Sequence, residues 1–67
     1  MQLFVNRESL VAESGETVAQ VLARLHIPAG KGLAVAVNEE VVPRKLWDEK
    51  KLVENDALTL IRPTQGG

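Results

Sequence analysis

The feature that most constrains this chain is a switch in the spacing of its apolar residues. Met1, Leu3 and Val5 recur at every second position, the period that places side chains on one face of a strand. Val18, Val21, Leu22 and Leu25 follow at i, i+3, i+4 and i+7, which is one face of a helix. Beyond Leu33 the period returns to two, in Leu33-Ala34-Val35-Ala36-Val37 and again in Ala57-Leu58-Thr59-Leu60-Ile61-Arg62. One amphipathic helix set among strands has to bury its stripe against a sheet. At 67 residues the chain is a single domain. A domain of this size buries only about 60% of the surface its unfolded chain exposes, so it has little room for an enclosed active site.

The segment boundaries carry their own chemistry. Asn6-Arg7-Glu8-Ser9 supplies turn residues before Leu10-Val11-Ala12-Glu13, predicting an opening antiparallel hairpin. Ser14-Gly15 breaks the pattern. Thr17 with Gln20 three residues on is a capping-box signature ahead of the helical stripe, and Pro28 and Gly30 are expected to end the helix near His26. Asn38-Glu39-Glu40 is a polar turn into Val41-Val42. From 43 to 55 the charges are mixed and the apolar residues irregular, predicting a short helix or turn clamped by a buried Trp47. Pro63 stops the last strand. The expected architecture is α+β: a mixed sheet of four to five strands packed by one main helix, with a body over 1–63 and a flexible tail over 64–67.

Composition excludes several functions. Eight basic and nine acidic residues leave a net charge of −1, which gives no field for a phosphate backbone. One Trp, one Phe and no Tyr provide no set of platforms for stacking bases, so no nucleic acid is expected. The longest apolar run, 33–37, is far too short to cross a bilayer. Met1 leads straight into a strand without the pattern of a secretory signal, so a cytoplasmic protein with no membrane association is expected. The absence of cysteine removes disulfides, thiolate metal sites and any cysteine-bound intermediate.

No catalytic assembly is legible either. His26 is the single imidazole, which excludes a multi-histidine metal site and suits a helix C-terminus. Glu39, Glu40, Asp48 and Glu49 fall in turns or mixed-charge surface. Gly30-Lys31-Gly32 lacks the spacing of a phosphate-cradling loop. Strand alternation instead sets Phe4 and Ile61, with the small Ala34 and Ala36, opposite the core face as a candidate docking patch.

The chain end is more informative. Gly66-Gly67 has no side chains to obstruct a narrow channel, so a partner enzyme can grip its backbone and reach the terminal carboxylate. Four extended residues from Thr64 span at most about 13–14 Å. Ordering them costs on the order of 4–8 kcal/mol, which docking of the folded body must offset. A free α-carboxylate is anionic at neutral pH and must be activated before acyl transfer. Its approach to ATP is anion against anion and needs Mg²⁺, Arg or backbone donors from the enzyme, so the catalyst lies elsewhere.

These residues resemble the bacterial thiamine-biosynthetic sulfur carrier family, ThiS, over essentially the whole chain. The marks are Met1-Gln2-Leu3 running into Asn6, Thr17-Val18 opening a helix, and Leu33-Ala34-Val35-Ala36-Val37-Asn38. Val42-Pro43-Arg44 with Trp47, Asp56 before the last strand, and Gly66-Gly67 complete them. The resemblance implies a ubiquitin-like β-grasp fold and a carrier that is not itself an enzyme. It implies adenylation of Gly67 by a ubiquitin-activating-like adenylyltransferase using ATP and Mg²⁺, conversion to a thiocarboxylate with sulfur from a donor protein, and delivery to thiazole synthase. On that reading Gly67 carries the acyl group, Gly66 permits access, and the chain itself binds no cofactor. Asn55 stands where the family more often has Gly, a replacement that asparagine tolerates because it enters the left-handed region more readily than other residues with side chains. The alternatives are a molybdopterin-type sulfur carrier, a protein modifier joined to lysines through Gly67, and a binding module that never uses its C-terminus.

Overall fold

A computed structural model describes residues 1–28 and 32–62. The chain runs β1 (Gln2–Val5), β2 (Glu8–Val11), α1 (Val18–Arg24), β3 (Ala34–Val37), β4 (Glu40–Val42), a 3-10 turn (Arg44–Leu46) and β5 (Ala57–Ile61). The expected α+β body therefore forms around five strands in the order β2-β1-β5-β3-β4. The last strand of the sequence lies at the centre of the sheet. It pairs in parallel with β1, while β1–β2, β3–β4 and β3–β5 are antiparallel.

Both hairpins close through two residues with positive φ, Asn6 and Arg7 (49° and 73°) and Asn38 and Glu39 (51° and 71°). These are the left-handed pairs of type I′ turns, whose twist matches that of the flanking strands, and asparagine is among the few side chains that enter this region readily. Asn55 is also left-handed, with φ 71°, a conformation asparagine tolerates.

The helix begins at the predicted capping box. The Gln20 N–H donates to Thr17 Oγ1 at 3.2 Å, and the Thr17 N–H donates to Gln20 Oε1 at 2.8 Å. The next exposed donors are met by the loop after the 3-10 turn, since the Val18 and Ala19 amides donate to the Lys50 and Trp47 carbonyls. This end of the helix is fully docked, with no free donors left for an anion. Its other end falls near His26, as expected, but is closed by the backbone ahead of Pro28. Leu25 is the cap and His26 takes a left-handed φ of 58°. The His26 amide donates to the Ala23 carbonyl and the Ile27 amide to the Leu22 carbonyl, the paired bonds of a Schellman closure with histidine where glycine is usual. Pro28 follows the stop, and Gly30 lies outside the described residues.

Val18, Val21 and Leu22 of the helix join Leu3, Val35, Val37, Leu58 and Leu60 of the sheet in one buried cluster, closed at its end by Val42, Trp47 and Leu52. Trp47 is core, as predicted: its indole N–H donates to the Val42 carbonyl at 2.8 Å, and the Arg44 guanidinium lies 4.9 Å from its ring centroid. The irregular stretch from 43 to 55 is thus a 3-10 turn followed by an extended return whose Lys51 bridges to Thr17.

Candidate functional site

Because β5 is central, the strand that leads to the chain end is held from both sides. At its start the Asn38 side chain accepts the Ala57 N–H at 3.0 Å, while the Asn38 N–H donates to the Ala57 carbonyl at 2.8 Å. The same carboxamide donates through Nδ2 to Asp56 Oδ1 at 2.9 Å, and Asp56 Oδ2 accepts the Val53 N–H. On the other side β1 turns away at Asn6. The Asn6 amide donates to the Leu58 carbonyl, and its side-chain Oδ1 then accepts the Leu60 N–H at 2.9 Å. In the sequence both asparagines read locally as turn residues; their hold on a strand about 20 or 50 residues away has no local signal.

β5 delivers Ile61 and Arg62 to the surface at its C-terminal end. Gly66 and Gly67, and the predicted body–tail boundary at 63, lie outside the described residues.

The four residues read as a docking patch share the sheet face away from the helix, but not as a uniform exposed patch. Ile61 is half exposed (51%) and Phe4 and Ala34 are partly covered, whereas Ala36 is buried at 7%. The register explains Ala36: it sits between its cross-strand neighbours Val41 and Thr59, whose larger side chains shade a single methyl. Phe4 lies beside Ala57 and Ile61 beside Ala34, so the two large residues stand at opposite ends of β5, about 13 Å apart along the strand. Val11 (77% exposed) and Val41 (69%) extend the same face toward its edges. Both were legible by alternation, as the outward neighbours of the inward-facing Leu10 and Val42.

The charged groups do not assemble a reaction centre. Among the described residues no group of three His, Cys, Asp or Glu side chains is placed to hold a metal, and no helix is long and apolar enough to cross a membrane. The ion pair between Arg24, partly exposed, and Glu16, largely covered, is structural. Arg24 Nε and Nη2 donate to the two Glu16 carboxylate oxygens at 3.0 and 2.5 Å, joining the helix to the residue before its cap. The Arg24 hydrogen bond holds the Glu16 carboxyl below its ordinary range, against the opposing effect of burial.

A five-stranded mixed sheet with its last strand central and parallel to its first, crossed by one helix on a single face, defines a ubiquitin-like β-grasp protein. The ThiS family model matches residues 1–67, and the chain belongs to the ThiS family. It is 30% identical to the sulfur carrier protein ThiS of Escherichia coli (strain K12) over 67 residues, covering all of both chains. The crystal structure of the thiamine biosynthesis protein ThiS from Geobacter metallireducens superposes with a TM-score of 0.84 at 25% identity, again covering both chains completely. The solution structure of a thiamine biosynthesis protein from the same organism gives 0.76 at 26% identity, over all of this chain and 88% of that one.

Proposed function

We propose that the protein carries sulfur for thiamine biosynthesis on the carboxylate of Gly67, as a substrate of partner enzymes. The observation that supports this best is the family match running through residue 67, with Gly66-Gly67 as its last two residues. A held central strand leading toward that end suits the same role, because it presents the tail from a fixed base.

The chemistry follows from the carboxylate. One of its oxygens attacks the α-phosphorus of ATP in the partner adenylyltransferase, the bond to pyrophosphate breaks, and an acyl adenylate forms. Mg²⁺ and cationic groups of that enzyme offset the meeting of two anions. A sulfur nucleophile at the oxidation level of sulfide, supplied through a donor protein, then attacks the acyl carbon and AMP leaves. The product is a terminal thiocarboxylate for thiazole synthase. The outer sheet face around Ile61, with Phe4 and Ala34 beside it and Ala36 as floor, is the docking surface that offsets the cost of ordering the tail. Removing Gly67 is the direct test: pyrophosphate release with a competent adenylyltransferase should vanish while the body stays folded, and undiminished release would refute the assignment.

A further inference from the structure

The Asn6 side chain does work that its turn does not require. A type I′ turn asks of its first residue only a positive φ, and Asn6 has it at 49°. Its Oδ1 nevertheless accepts the Leu60 N–H at 2.9 Å, a contact between residues 54 apart in the chain. The parallel β1–β5 ladder explains why. The Phe4 amide donates to the Asp56 carbonyl and the Asn6 amide to the Leu58 carbonyl, after which β1 turns away and no longer lies beside β5. The next β5 donor on that side is Leu60, and the Asn6 carboxamide stands in for the missing strand.

We propose that Asn6 is a positioning residue, whose side chain fixes where β5 ends and the reactive tail begins. This rests on the reading that Gly67 is the group that reacts. With Leu60 and Ile61 held in the sheet, six residues from Arg62 to Gly67 remain, with a reach of at most about 20 Å. β3 still holds their other edge, with Val35 opposite Leu60 and Ala34 opposite Ile61, so loss of the Asn6 bond makes the pair fray more often. Each such opening leaves eight residues, about 27 Å, with two more to order at capture. A reacting carboxylate gains from being presented in one geometry. The bond therefore favours capture of the tail after the body has docked.

Asn6→Gly keeps the left-handed turn and deletes the acceptor, whereas Asn6→Asp keeps an oxygen at the same place. In Asn6→Gly the Leu60 amide should exchange with solvent roughly two- to twelvefold faster than any change in global stability explains, the range of one net hydrogen bond. With a competent adenylyltransferase, kcat for adenylation should fall about tenfold with little change in KM for the carrier. Asn6→Asp should restore both. The inference is overturned if Asn6→Gly leaves Leu60 exchange and kcat unchanged, or if Asn6→Asp is as slow as Asn6→Gly. A Gly67 deletion run alongside separates the two claims: if it still reacts, the assignment of Gly67 fails, whatever Asn6 does.

Discussion

The carboxamide of Asn38 donates to the carboxylate of Asp56 at 2.9 Å, tying the β3–β4 turn to the residue that opens the central strand. Asp56 is buried and also accepts the Val53 N–H. Asp56→Ala leaves two donors without their partner, so it should cost about 2–4 kcal/mol. Urea unfolding followed by Trp47 fluorescence would read it, and a loss below about 1 kcal/mol would mean that solvent replaces the pair.

His26 ends the helix in a conformation that costs a residue with a Cβ about 1–2 kcal/mol. Its side chain is exposed. His26→Gly should therefore stabilise the protein by about 0.5–1 kcal/mol, after allowing for glycine's greater freedom when unfolded. A thermal melt should show Tm rising by several degrees; a fall would mean that the imidazole makes a contribution beyond its backbone.

The Glu16–Arg24 pair gives the acid limb of stability a definite sign. Glu16 is lowered in the fold from its ordinary value of 4.5, chiefly by the Arg24 hydrogen bond. Its contribution is complete above that ordinary value and is lost as pH falls through the lower folded value. As pH falls below that ordinary value, wild type should lose more stability than Glu16→Gln does. Arg24 is partly exposed, so added salt should narrow the difference. Parallel acid limbs in the two proteins would remove this pair from the account.

Ile61 tests the docking surface, because it is half exposed and sits at the end of β5 from which the tail departs. Ile61→Glu should leave the fold intact and raise KM for the adenylyltransferase by about tenfold or more, the scale of one interface anchor. The same change at Val53, also exposed but outside the sheet, should do little. Equal effects at both positions would point to general charge repulsion.

How much of this was legible in the sequence depends on the range of the interaction. The helix start was visible in Thr17 and Gln20 because a capping box is closed within four residues. The inward faces of β1, β3 and β5 were visible because alternation is local. Sheet order was not, since placing β5 between β1 and β3 rests on pairings more than 20 residues apart. The helix stop near His26 was legible from Pro28, but the way it closes was not, because His26 takes the left-handed position where the usual signal is glycine. Ala36 was read as exposed because alternation gives the face of a residue and not the height of its neighbours. The family resemblance rested on the spacing of Val42-Pro43-Arg44, Trp47, Asp56 and the terminal glycines. The structure gives the first of these physical weight: the Trp47 indole is bonded to the Val42 carbonyl and covered by Arg44.

The central claim is that Gly67 becomes a thiocarboxylate, and intact mass reads that change directly. The protein would be incubated with ATP, Mg²⁺, a competent adenylyltransferase and a sulfide source, beside a chain lacking Gly67. The account predicts a mass shift equal to one oxygen replaced by one sulfur, confined to the full-length chain and located by fragmentation at Gly67. No shift with an enzyme that adenylates another carrier in the same buffer, or an equal shift in the truncated chain, would contradict it.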